Sequence, residues 1–143
     1  MNSLEQLKQI TTVVADTGDL QAIARLKPVD ATTNPSLITK ALSHADMQPQ
    51  LRAALARHSG DVDAVINDLT VDLGKQILAL IEGRVSTEVD ASLSYDTDAT
   101  VRQALQFIDA YAKAGVDTSR ILIKIAGTWQ GIQAARQLEQ QNI

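Results

Sequence analysis

The feature that most limits what this chain can fold into is a repeated change of period. Four short runs rich in Val, Ile and Thr each give way to a longer stretch with the three-to-four-residue spacing of an amphipathic helix. The runs are Thr11–Asp16 (TTVVAD), Val29–Asn34 (VDATTN), Arg84–Val89 (RVSTEV) and Arg120–Ala126 (RILIKIA). No Asn-Gly or Asp-Gly hairpin signal joins one run to the next. Strands that alternate with helices and lack hairpins predict an α/β fold with a parallel sheet. An eight-unit (β/α)8 (TIM) barrel typically takes about 250 residues. Four units in 143 residues therefore fit half of such a barrel, with residues 1–143 as one β/α half-barrel.

The helical stretches carry their own punctuation. Asp19 is placed to cap a helix bearing Leu20, Ile23 and Ala24, which Pro28 ends. Pro35 suits the first turn of a helix, where a missing N–H costs little. From Ser36 to Gly83 the chain predicts three helices, around Leu37–Leu42, around Pro49–Leu55, and over the stripe Val62, Val65, Ile66, Leu69, Leu73, Ile77 and Leu80. Gly83 reads as the residue that closes the third. A further helix presents Val101, Ala104, Leu105, Ile108, Tyr111 and Ala112 and is closed by Gly115, and the last runs from about Thr128 to Glu139–Gln141.

Composition removes several classes of function. The chain has no Cys and only two His, His44 and His58, which excludes thiolate metal sites and disulfides and leaves too few imidazoles for a His-based metal centre. A net charge of −4 with both signs mixed along the chain gives no footprint for nucleic acid and no basic face for anionic lipid. The start, MNSLEQLKQI, lacks the pattern of a signal peptide, and no run approaches the length of a membrane span. The expectation is a soluble, cytoplasmic protein.

Side chains on a strand alternate between faces. In the fourth run Ile121, Ile123 and Ile125 share one face and Leu122, Lys124 and Ala126 the other. Strands of a parallel barrel bury both faces, one under helices and one in the barrel interior. The Ile trio suits the helix side, which turns Lys124 inward. The same arithmetic groups Thr12, Val14 and Asp16, then Thr32 and Asn34, then Arg84, Ser86 and Glu88. Each inward set ends in an ionisable or amide group near the carboxyl end of its strand, where the active sites of such barrels are built. Asp16, Asn34, Glu88 and Lys124 are thus predicted to converge from four adjacent strands.

The residue types suggest a chemistry. A lysine attacks a carbonyl only as the neutral amine, and desolvation favours that form. Two carboxyl groups sharing a small cavity tend to separate their pKa values, leaving one acid and one base. Imine formation and C–C cleavage both need such proton shuttling. Each residue alone also has a plainer reading. Lys124 can be a salt-bridge partner, Asp16 a turn or capping residue, Glu88 with Asp90 a solvated strand end, and Asn34-Pro35 simply a helix start.

Five segments decide between these readings by resemblance: TTVVADTGD (Thr11–Asp19), DATTNPSL (Asp30–Leu37), GRVSTEVDASLSYDT (Gly83–Thr97), RILIKIAGTWQGI (Arg120–Ile132) and AARQLEQQNI (Ala134–Ile143). Together they resemble the transaldolase family, in its order and spacing, and look closest to the long pentose-phosphate-pathway type. The resemblance implies that residues 1–143 are the truncated first half of a TIM (β/α)8 barrel, with a cofactor-free, metal-free Schiff-base mechanism. A dihydroxyacetone unit passes from a ketose phosphate, fructose 6-phosphate or sedoheptulose 7-phosphate, to an aldose phosphate. It further implies that Lys124 forms the imine, that Glu88 assists through a water, and that Asp16 acts as acid and base in C–C cleavage. Asn34 would bind substrate hydroxyls, with Thr32 and Ser86 lining the same wall.

Two departures accompany the resemblance. Gly127 stands where relatives often carry Ser. The family's phosphate-binding arginine also lies beyond the position of Ile143, and Arg84 is on the wrong part of the chain to replace it. A parallel half-sheet exposes two strand edges and one face, which invite association. The expected partners are therefore sugar phosphates and either a second copy or a complementary half. The alternatives are a non-catalytic remnant or interaction module, one half of a split enzyme, and the shorter aldolase branch, against which Glu88 speaks.

Overall fold

The computed structural model describes residues 2–143. In chain order the elements are α1 (Ser3–Ile10), β1 (Val14–Asp16), α2 (Leu20–Leu26), β2 (Asp30–Thr32), α3 (Pro35–Leu42), α4 (Gln48–His58), α5 (Val62–Leu78), β3 (Val85–Glu88), α6 (Thr97–Lys113), β4 (Ile121–Lys124) and α7 (Trp129–Glu139). Short 3-10 turns cover Ala45–Met47, Ala91–Leu93 and Thr118–Arg120. The four strands form one sheet in the order β1-β2-β3-β4, and every pair is parallel. This matches the first half of a TIM-barrel-like α/β fold. Among the described residues no helix is long and apolar enough to cross a membrane.

The helices start where short polar side chains satisfy their free N–H groups. Asp19 Oδ1 accepts from Ala22 N at 3.0 Å, Asn34 Oδ1 from Leu37 N at 2.9 Å, and Asp96 Oδ1 from Ala99 N at 2.8 Å. Pro35 and Pro49 both sit in a first helical turn. Lys27 ends α2 in the left-handed region at φ 47°, just before Pro28. Gly115, at φ 77°, follows α6 as expected.

Three expectations differ. The strands are shorter than the runs that announced them, because regular pairing lapses at their ends. Val29 N still donates to Val13 O, and Val89 N to Lys124 O. Gly83 does not close α5, which ends at Leu78 with Ala79 as its cap. Gly83 is needed for close approach instead, since a Cβ there would collide with the Asp30 carboxylate and with Val29 O. Thirdly, the sequence reading did not mark α1. This helix buries none of its residues and is held by a capping box between Asn2 and Glu5. Lys8 Nζ also donates to Leu26 O and Lys27 O at the end of α2, a favourable place for a cation.

The core lies entirely on one side of the sheet. Ala31, Val85 and Ile121 of the strands pack with Ile23 of α2, Ile38 and Ala41 of α3, Leu73 and Ile77 of α5, Val101, Ala104, Phe107 and Tyr111 of α6, and Ala134 and Leu138 of α7. Val65 and Leu69 of α5 form a second cluster with Ala54 of α4. On the predicted α5 stripe, Val62, Ile66 and Leu80 remain exposed. At the amino end of the strands, Arg120 donates to the carbonyls of Gly83 (2.9 Å), Leu78 (3.3 Å) and Ile81 (2.8 Å). Asp30 Oδ1 accepts from Arg84 N at 2.7 Å. These bonds close the turn that delivers the chain into β3.

Candidate active site

The register of the sheet decides which side chains can meet. Asp16 pairs with Thr32, Thr32 with Ser86, and Glu88 with Lys124. Alternation therefore puts Val14, Asp16, Thr32, Ser86, Glu88, Leu122 and Lys124 on one face, as the phase argument expected. The other face carries Ala31, Val85, Thr87 and Ile121, all buried under the helices.

Lys124 Nζ lies 3.0 Å from Glu88 Oε2 and 3.5 Å from Thr32 Oγ1, the latter at the outer limit for a hydrogen bond. The amine thus leans across β3 toward β2. The expected dry pocket is not present around it. The Lys124 side chain is 39% exposed and that of Glu88 21%, because the helices cover only the opposite side of the sheet. Val14, at 51%, and Leu122, at 39%, are exposed on the same face for the same reason.

The other predicted residues fall around this pair without all touching it. Ser86 is half-buried in the row of Thr32, and Asp16 is exposed at the far end of that row. Capping of α2 falls to Asp19, so Asp16 is not used in that way. Asn34 does serve as a helix start, with its Oδ1 engaged by Leu37 N. A Cβ built on Gly127 meets nothing within 4 Å, so a hydroxyl-bearing side chain would fit there.

The loops at the carboxyl ends of β3 and β4 are fastened to each other, which the sequence reading did not foresee. Thr128, the cap of α7, donates its hydroxyl to Ser94 O, and Thr97 Oγ1 donates to Gln130 O at 3.0 Å. Asp90 Oδ1 accepts from Ser92 N at 2.7 Å. Bonds from the Ser92 hydroxyl and N–H hold the Asp90 carboxyl below its usual range. Such threonine bonds cross between distant segments and leave no local pattern to read.

A groove of about 960 Å³ lies elsewhere, between α4, α5 and α6 on the helix side. Its walls mix Arg57, His58 and Lys75 with Asp68 and Asp72. The groove reaches the loop after β3 through Asp90 and Ser92, but Asp16, Thr32, Asn34, Ser86, Glu88 and Lys124 do not line it. Among the described residues no group of three or more His, Asp and Glu is placed to hold a metal ion.

Residues 13–143 match the family described as Transaldolase/Fructose-6-phosphate aldolase. The chain belongs to that family. It is 56% identical over 142 residues to a protein named transaldolase from Stutzerimonas stutzeri (strain A1501), a match covering 99% of this chain and 46% of the relative. The chain thus spans about half the length of the curated relative it matches. The Lys124–Glu88 contact and the fastened loops lie inside the matched region.

Proposed function

We propose that this chain carries the Schiff-base half of a transaldolase site, with Lys124 as the nucleophile toward a ketose phosphate. The observation that carries the reading is the 3.0 Å contact of the Lys124 amine with Glu88, at the carboxyl ends of parallel strands in a member of this family. The amine adds to the ketose carbonyl, and water leaves as the imine forms. At 3.0 Å, Glu88 is close enough to receive and return the protons that this step moves, directly or through a water. Asp16 takes the proton of the hydroxyl next to the bond that breaks. The aldose phosphate departs, and a three-carbon enamine stays on the lysine. That enamine then adds to the acceptor aldose phosphate, and hydrolysis frees the amine. Thr32, Ser86 and Asn34 supply hydroxyl and amide groups along the same face to hold the sugar. The reaction needs no cofactor beyond the lysine, and its pathway is the pentose phosphate interconversion.

The uncovered face and the edges of β1 and β4 bear on partners. Exposed Val14 and Leu122 flank the polar set, and a parallel sheet is ordinarily covered on both sides. The reading is that a complementary set of β/α units, or failing that a second copy, covers this face and makes the amine water-poor. A monodisperse, cooperatively melting monomer in solution would contradict it.

The test is reductive trapping. The chain is incubated with fructose 6-phosphate and borohydride, and its intact mass is measured. A gain matching the reduced three-carbon unit supports the reading. No gain in a chain whose circular dichroism shows it folded would favour a non-catalytic remnant or interaction module.

A further inference from the structure

Directly behind the Lys124–Glu88 contact, on the helix side of β3, two hydroxyls meet in the core. Thr87 and Tyr111 are both fully buried, and Thr87 Oγ1 lies 2.8 Å from Tyr111 Oη. Burial pushes the Tyr111 phenol up to about 12, with the Thr87 bond opposing, so the ring keeps its proton throughout the neutral range. The third participant is Gly74 of α5. A Cβ on that residue would overlap the Tyr111 hydroxyl. Glycine inside a helix weakens it, and here it opens the space in which the phenol reaches the strand. Elements α5, β3 and α6 therefore meet at one hydroxyl pair.

Hydrophobic burial is non-directional. The apolar core holds β3 against the helices without fixing how far the strand sits along them. A hydrogen bond between two hydroxyls does fix it, because its strength falls steeply away from its preferred distance and angle. Thr87 is bonded through the backbone to Glu88, whose side chain leaves the opposite face and reaches Lys124 at 3.0 Å. The ladder to β4, with Val89 N donating to Lys124 O, keeps the two strands in register, so the hydroxyl bond adds the tilt of the end of β3, which aims the Glu88 carboxylate at Lys124.

We infer that Tyr111 is a positioning residue, whose hydroxyl bond to Thr87 steadies the end of β3 on its helices and so keeps Glu88 aimed at Lys124. Its bearing on catalysis rests on the function proposed above, but the geometric claim does not.

Four variants test it: Tyr111→Phe, Thr87→Val, the two combined, and Thr87→Ser. Acetylation of Lys124 by a succinimidyl ester is followed by peptide mass spectrometry and divided by the rate at Lys40, an exposed lysine far from Tyr111 in the chain, in the same molecules. Only the neutral, unpaired amine acylates, so a lysine held by a carboxylate reacts more slowly than an unpaired one. Each single apolar variant strands one buried hydroxyl and lowers the melting temperature, whereas the combined variant removes both partners and recovers most of it. The Lys124 ratio should rise about two- to fivefold in Tyr111→Phe, the range expected for loosening a part-exposed ion pair. It should stay raised in the combined variant and remain at the wild-type value in Thr87→Ser, which keeps the hydroxyl. A ratio that returns to wild type along with the melting temperature would reduce Tyr111 to a packing residue. So would a ratio unchanged throughout, or one raised equally by Thr87→Ser. If a single variant does not fold, the combined variant and Thr87→Ser still decide. Trapping with fructose 6-phosphate on the wild type is read separately. A changed acetylation ratio without any trapped adduct would sustain this inference and sink the proposed function.

Discussion

On β3, Val85 and Thr87 point into the helices and are fully buried, while Ser86 and Glu88, one residue away, stand on a face with no helices over it. The same contrast repeats on β4, where Ile121 is buried and Leu122 is exposed. One face is apolar and locked by packing and by the Thr87–Tyr111 bond. The other is wetter and sets Asp16, Thr32, Ser86, Glu88 and Lys124 beside exposed Val14 and Leu122. The comparison teaches that in a parallel sheet a single residue step separates what holds the strand from what the strand presents. Precision at Glu88 is built from behind.

Substitutions can break this division or sharpen it. The largest effect should come on the open face. Glu88→Gln should slow reductive trapping by about 100-fold or more, the usual scale for losing a proton-transfer group, while the melting temperature moves little. A variant that unfolds instead would mean that Glu88 belongs to the scaffold. Next comes the locked face. Gly74→Ala forces a methyl group into the Tyr111 hydroxyl and should cost about 1–3 kcal/mol in urea unfolding, as overpacked cores do. Unchanged stability there would show that the α5–α6 contact is looser than the geometry says.

A smaller effect belongs to neither face. Asp68 is bonded by Arg57 Nη2 at 2.7 Å and by His58 Nε2 at 2.9 Å, joining α4 to α5. Burial alone pushes the Asp68 carboxyl up, but the bonds from Arg57 and His58 outweigh it and leave it below its usual value. A carboxyl depressed in the folded state stabilises the protein above its unfolded pKa of about 3.9 and loses that contribution as pH falls through the folded value. Asp68→Asn should therefore lower the melting temperature by a few degrees at neutral pH. The gap to wild type should close below about pH 4, and trapping at Lys124 should not change. A gap that widens in acid would reverse the assignment. The smallest effect is expected at Gly127, where a side chain meets empty space. Gly127→Ser should stay within about 0.5 kcal/mol of wild type, and its influence, if any, should appear only in trapping.

Much of this division is legible in the sequence because strand periodicity is strict. The phase of Ile121, Leu122, Ile123 and Lys124 sorts the two faces without coordinates, and the caps at Asp19 and Asn34 are local signals that the structure realises. What stays hidden is non-local. Thr87 and Tyr111 are 24 residues apart, and nothing near either one announces a hydroxyl pair. Gly83 looks like a helix stop until Asp30 is seen against it. Helix α1 buries nothing, so it offers no apolar stripe tied to a core. The exposure of Lys124 also escapes periodicity, since alternation gives direction but not what covers the face.

The central claim is that one lysine out of six, Lys124, is chemically singled out by its place on this face. Peptide-resolved mapping of the chain after trapping with fructose 6-phosphate and borohydride measures this directly. The adduct should fall on Lys124, with Lys8, Lys27, Lys40, Lys75 and Lys113 unmodified. An adduct spread over those other lysines, or none at Lys124 in folded chain, would contradict it.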